Sequence, residues 1–328
     1  MREFNVKKND AGQRLDKFVA KALPSLPPAL LYKSIRLKKI KVNRKRAEGK
    51  QMLAEGDTVQ LFLAEEFFEK GDGNRHALFA VKPRLDVLYE DENIILLNKR
   101  PGVSVHEDEK GDNDTLITHL QAYLAQKGEY KPDEEQSFAP ALCNRIDRNT
   151  GGIVIAAKNA ESLREMNAAI KARTLDKRYL CVVHGTPRPA SATMEGYLLK
   201  DATGNTVRIY DKNPPKGAKS IQTRYKTIKS KNGISLLEVT LLTGRTHQIR
   251  AHLSHLGYPL LGDGKYGVNR HDKTIGYKYQ ALWSYRLSFS FPEDNTLSYL
   301  NGRVFSVPEE KIYFLSLFDE KGETHEKK

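Results

Sequence analysis

At 328 residues the chain has room for roughly two domains of ordinary size. Its 39% hydrophobic and 29% charged residues exclude a disordered polymer. The 54 Lys and Arg against 41 Asp and Glu leave a formal charge of +13, which points to a polyanionic partner, nucleic acid before an acidic membrane surface. Cys143 and Cys181, the two cysteines, are too few for a disulfide framework or a cysteine zinc site. The opening MREFNVKKND lacks the apolar stretch of a signal peptide. The longest apolar runs, 153–157 and 179–183, are five residues long, whereas a membrane span needs ~20. The expectation is a cytoplasmic protein with reduced thiols and no membrane partner.

The charge is unevenly placed. Residues 1–63 hold 15 basic and 6 acidic side chains, while the other 265 residues hold 39 and 35. In this first segment Leu15, Phe18, Val19, Ala22 and Leu23 recur at helical spacing and predict a helix over 13–23. Pro24, Pro27 and Pro28 interrupt it, and a second helix is expected over 29–37. Ile40 with Val42, then Val59, Leu61 and Leu63 after a Gly56-Asp57 turn, predict short strands. The densest basic run, LYKSIRLKKIKVNRKR, holds Lys33, Arg36, Lys38, Lys39, Lys41, Arg44, Lys45 and Arg46 without one acidic residue. Such a run is commonly a solvated face. Held on a helix, however, it makes a rigid comb for phosphates.

GQRLDKFVAKAL, LYKSIRLKKIKVNRKR and AEGDTVQL together resemble an S4 RNA-binding domain over 1–63. The resemblance implies RNA binding through those basic residues. Residues 64–84 mix Gly, charge and Phe without periodicity and read as a linker, with Phe67, Phe68 and Phe79 as candidate tacks onto a domain.

From residue 85 to 328 strand and helix signals alternate irregularly. Strands are expected over 85–89, 94–97, 153–157, 179–184, 220–229 and 234–242. Helices are expected over 115–126, capped by Thr115, over 160–171 and over 248–256. Many strands with few helices predict an α+β fold with a mixed, largely antiparallel sheet, preceded by the small α+β module.

The strongest local signal is NRIDRNTGG at 144–152, followed at once by the strand IVIAAK. Asp147 lies between Arg145 and Arg148, whose cations favour its negative charge, and the glycines permit another chain to approach closely. An Asx-type turn with a surface ion pair would explain the same residues. In LTGRTHQIR, at 242–250, a strand ends and a helix begins near Thr246. Arg245 and His247 gather there at a helix N-terminus suited to an anion. Arg245 and Arg250 are too far apart on a helix to share a face and should serve different partners. Gly262, Gly264 and Gly267 spell G-x-G-x-x-G without the strand and helix a dinucleotide site needs, so a turn is expected. His247 and His252 lie on different helix faces, and with His255 they form no metal-ligand spacing.

NRIDRNTGGIVIAAK, KRYLCVVHG and LLTGRTHQIRAHLSHLGYPLLGDGKYG, in this order, resemble the signature regions of RluA-type pseudouridine synthases, and KRPGVSVHED resembles the family's Lys-Pro-x-Gly segment. The chain departs from the commoner His-Arg-Leu-Asp and Thr-Ser-Gly forms at Asn144, Ile146 and Gly151. The resemblance implies a catalytic domain over 85–328 that isomerises uridine in RNA without a cofactor or metal, as a monomer on ribosomal RNA or an assembly intermediate. Its S4 segment is closest to the subgroup acting on large-subunit RNA. Asp147 would be the essential carboxylate, a nucleophile toward base or sugar or the base of a glycal route. Arg250 would pair with it, and Tyr179 would stack on uracil and help remove the C5 proton. Arg145 would fill the gap left by the flipped nucleotide, and Arg148, Arg245 and His247 would contact RNA. The competing class is a non-catalytic RNA-binding or ribosome-assembly factor.

Overall fold

The computed structural model describes residues 1–68, 78–107, 114–201, 204–267 and 270–319. Its first part is built as the hydrophobic spacing dictates. Helix α1 (Leu15–Ala22) buries Leu15, Phe18, Val19 and Ala22, and α2 (Pro28–Arg36) starts on a proline, whose missing N–H costs a first turn nothing. Strands β1 (Arg2–Asn5), β2 (Ile40–Val42), β3 (Lys45–Arg46) and β4 (Thr58–Leu61) form an antiparallel sheet in the order β1-β4-β2-β3. One hydrophobic core, from Val6 to Phe68, fills the space between helices and sheet. Phe68 belongs to that core and Phe67 packs against it. The start of the expected linker is therefore a 3-10 turn, Glu65–Phe68, laid on the first module. Phe79 is exposed. Residues 69–77 of that linker, and 320–328 of the expected second domain, lie outside the described residues.

The second part is organised around an eleven-stranded sheet. Its strands in chain order are β5 (Val87–Glu90), β6 (Ile94–Lys99), β7 (Ala141–Leu142), β8 (Gly151–Ala157), β9 (Leu175–His184), β10 (Ser191–Lys200), β11 (Val207–Tyr210), β12 (Lys219–Lys231), β13 (Ile234–Leu241), β14 (Leu282–Phe289) and β15 (Val304–Ser306). The order across the sheet is β11-β10-β12-β13-β9-β14-β8-β6-β5, with β7 beside β8 and β15 beside β14. Among the described strand pairs only β8 and β14 run parallel. The α+β, largely antiparallel expectation holds.

The helices that accompany the sheet among the described residues include α3 (Leu116–Gln126), α4 (Ala160–Ala172), α5 (Gln248–His255) and the short α6 (Arg270–Thr274). Thr115 caps α3 by accepting from the Thr118 N–H, and Asn159 caps α4 through Ser162. Two large apolar clusters result, one holding Trp283 and Phe289, the other Tyr179, Leu237 and Leu253. β8 passes between β6 and β14 with every residue buried, so the loop feeding it is anchored at the centre of the sheet.

The glycines at its start explain that placement. A Cβ on Gly151 would sit 2.4 Å from the Trp283 ring, and one on Gly152 (φ +110°) 2.2 Å from the Ser284 carbonyl oxygen. Only glycine permits β14 to lie this close. At Gly151, Trp283 already occupies the space that a side chain would need.

Candidate active site

Asp147 lies in the loop between β7 and β8. The Asn144 side chain ties that loop down by accepting the Ile155 N–H at 2.7 Å, and Asp147's own carbonyl accepts from Thr150 N. Asn144 therefore has a structural task in this chain. Beneath the loop, Lys99 is buried and donates from Nζ to the carbonyls of Arg100, Val103 and Arg148. Burial, opposed by Asp147 and assisted by Arg148, lowers its pKa to about 7.

Across the cleft α5 presents Arg250 from its first turn. Nη1 donates to Asp147 Oδ2 at 2.8 Å, while Nε and Nη2 grip the two oxygens of Asp263 at 2.8 Å each. Arg250 and Asp263 are buried, and Asp147 is one-quarter exposed at its side chain. Burial opposes the Arg250 charge, but the hydrogen bonds and field of Asp263, joined by Asp147, outweigh it and hold its pKa above the usual range. Burial also disfavours the Asp263 carboxylate, and Arg250 reverses that effect. The Tyr266 ring lies 5.2 Å from the guanidinium carbon and covers the pair.

The expected turn at 262–264 is present, and it has a purpose that its local sequence does not reveal. Gly262 adopts φ +76° and presents its N–H to buried Asp272 at 2.8 Å. Next in the chain, Asp263 also accepts from the N–H groups of Lys265 and Tyr266. The sequence signal was a carboxylate in a glycine turn shortly after a helix whose arginine needs a counter-charge.

Tyr179, on β9, lines the same cleft. Burial, partly offset by a hydrogen bond with Ser284 and reinforced by Asp147, pushes its phenol pKa up to about 12. His247 sits at the N-cap of α5 with φ +55°, its Nδ1 2.8 Å from the Tyr266 hydroxyl and its Nε2 3.8 Å from Asp147 Oδ2. Burial, opposed by Asp147 and assisted by Arg250, lowers its pKa. The ring is therefore neutral at pH 7.

The cleft encloses about 350 Å³, lined by Arg145, Asp147, Tyr179, Arg245, His247 and Arg250 among others. Arg145 and Arg245 are exposed at its edge. Lys177, the first residue of the KRYLCVVHG segment, also lines it, its pKa lowered by burial. Arg148 is outside the lining and directs its Nε to the Gly102 carbonyl. His252 and His255 turn elsewhere, to Thr223 and Asp211. The basic run of the first module is exposed except for half-buried Lys41, which lies over the Phe62 ring at 5.4 Å. Among the described residues none of its eight side chains has a carboxylate within 4 Å.

The cleft holds a carboxylate anchored, among the described residues, through one oxygen only. Asp147 Oδ1 accepts no hydrogen bond from any described residue. Residues 93–255 match the RNA pseudouridylate synthase family. Over 291 residues the chain is 34% identical to an uncharacterized RNA pseudouridine synthase of Mycoplasma pneumoniae, covering 88% of both proteins. It is 32% identical to ribosomal large subunit pseudouridine synthase C of Vibrio vulnificus, covering 80% of this chain and 79% of the other. Human RNA pseudouridylate synthase domain containing 1 shares the fold, with a TM-score of 0.51 at 20% identity over 72% of this chain and 97% of that one. Sequence and fold agree: the chain belongs to the RluA-type RNA pseudouridine synthases, isomerases acting on uridine in RNA.

Proposed function

We propose that the chain converts specific uridines of large-subunit ribosomal RNA to pseudouridine, acting as a cytoplasmic monomer on free RNA or an assembly intermediate. Residues 1–63 serve as the RNA-docking module and 85–328 as the catalytic domain. The reading rests chiefly on Arg250 holding Oδ2 of Asp147 at 2.8 Å inside the cleft while Oδ1 stays unbonded by the described residues. A carboxylate fixed through one oxygen keeps the other for the uridine.

In the reaction the bond between C1′ and N1 breaks, the base turns, C5 bonds to C1′, the C5 proton leaves to solvent, and N1 takes up a proton. Atoms and electrons balance without an external reactant. Asp147 supplies the carboxylate, by attack on base or sugar or by proton removal from the sugar. Arg250 fixes its direction, so no reorientation is required at the moment of reaction. The Tyr179 ring stacks on uracil. Its phenol, neutral at pH 7, accepts the C5 proton only while passing on its own, and so works as a relay.

Arg145 and Arg245, at the rim, contact the flipped nucleotide and its neighbours, with Arg145 filling the vacated stack. His247, neutral beside Asp147, donates or accepts one hydrogen bond to the base. Arg148 contacts phosphate from outside the cleft.

Pseudouridine mapping of ribosomal RNA from cells lacking the gene tests the substrate class. Loss of pseudouridine at defined large-subunit positions supports it, and an unchanged ribosomal map with losses in another RNA contradicts it.

A further inference from the structure

The two parts of the chain share no hydrophobic cluster among the described residues. The first core draws on residues 4–68 and the large clusters begin at Leu85. What joins them is polar. Asp10 is completely buried, yet its carboxylate is met from the other side by Ser137, which donates from Oγ at 2.6 Å and from N at 3.1 Å. Beside it Asn9 donates to Glu135 Oε1 at 3.0 Å, and its side-chain oxygen accepts the first N–H of α4, that of Ala160, at 3.3 Å. Arg164, one turn into α4, donates to the Ala11 carbonyl at 3.0 Å.

A carboxylate withdrawn from water is costly unless donors meet it. The only donor Asp10 has within its own module is the Lys7 N–H, at a long 3.4 Å. Its good donors exist only when the two parts are docked. Helix α4 packs on β8, and β8 is the strand that the Asp147 loop feeds. The seam thus ties the basic module to the element beside the candidate catalytic loop.

We propose that Asp10, Ser137 and Arg164 are specificity-determining residues: a polar latch holding the RNA-docking module in one orientation to the cleft. Resting on the RNA reading above, the latch makes the molecule a ruler. Phosphates gripped by residues 33–46 and the uridine reaching Asp147 must lie a set distance apart in the folded RNA. A loosely tethered module would raise local RNA concentration without choosing among uridines. Seams of this polar kind open easily, so disrupting a few hydrogen bonds should free the module and leave both cores intact.

Two full-length variants approach the latch from opposite sides. Ser137→Asp sets a second carboxylate against Asp10 without altering the first module. Asp10→Ala with Arg164→Ala removes hydrogen bonds from both parts. Small-angle X-ray scattering reads the maximum dimension without RNA. Initial rates on a folded ribosomal RNA fragment and on a short single-stranded oligonucleotide carrying the same uridine give a ratio. Both variants should show a longer maximum dimension, and the ratio of folded to short substrate should fall roughly tenfold or more. The affinity for the folded fragment should stay the same. An unchanged dimension, or a longer one with an unchanged ratio, overturns the latch. No turnover of either RNA by the unmodified protein would overturn the function reading, while scattering would still report whether the seam holds the parts together.

Discussion

Asp263 holds Arg250 along one whole edge of its guanidinium, two hydrogen bonds of 2.8 Å, and leaves the remaining Nη1 to Asp147. The arrangement divides the arginine's work. One carboxylate neutralises and orients it, and the other receives its direction. A bidentate fork is rigid in a way that a lysine could not reproduce.

Asp263→Asn keeps the volume but removes the charge that compensates a buried guanidinium. Breaking a buried pair from one side costs about 3–5 kcal/mol. Chemical denaturation should show a loss of that order, and kcat should fall more than KM rises, because the misdirected group is Asp147. An unchanged kcat in a folded variant would show that Arg250 needs no support.

Tyr179→Phe keeps the ring and deletes the hydroxyl. If the ring stacks and the hydroxyl relays the C5 proton, kcat should drop by about 10²–10⁴-fold with little change in KM. Steady-state kinetics on a short RNA separates the two. A rise in KM alone would assign the hydroxyl to binding.

Acid should destabilise the protein partly through His252. Burial lowers its pKa from 6.5 to about 4, so between those values the unfolded chain binds a proton that the folded chain refuses. Stability conferred by the neutral ring is complete above pH 6.5 and is lost as pH falls through this window, at about 1.4 kcal/mol per pH unit where the difference is one proton. Urea melts across pH 4–7 should show a shallower acid limb for His252→Gln than for the native chain. Parallel limbs would contradict the assignment.

The basic comb is tested by salt. Replacing Lys38, Lys39 and Lys45 with glutamine removes three exposed cations outside the core. The slope of log Kd against log salt should decrease by roughly 0.7–0.9 for each phosphate that is no longer neutralised. A slope that does not move would make the run a solvated face.

Much of the fold is legible in the sequence where one local rule governs the outcome. The stripe of Leu15, Phe18, Val19 and Ala22 and the Thr115 cap reappear within a residue or two of their expected places. β10 escapes such reading because SATMEGYLLK mixes Ser, Thr, Glu and Gly with its apolar residues on a half-exposed strand, whose pairing with β11 and β12 compensates for weak propensity. β14 escapes it too, although Trp283 and Leu287 are core residues. Its bulge between Ser284 and Arg286 interrupts the alternation that would reveal it. At the site, Asp147, Tyr179 and Arg250 stand out through motif resemblance. Asp263 does not, because a glycine turn explains its local sequence completely, even though its partner Arg250 lies just upstream in the preceding helix. The same holds for Asp10, unremarkable in MREFNVKKND until Ser137 closes over it.

The most direct test replaces one oxygen at the centre of the cleft. RNA carrying tritium at C5 of uridine should release it in the presence of the native protein, since isomerisation expels that atom. Asp147→Asn, which preserves the side chain's shape, should bind the same RNA with undiminished affinity and release none. Release by Asp147→Asn at the native rate would contradict the account.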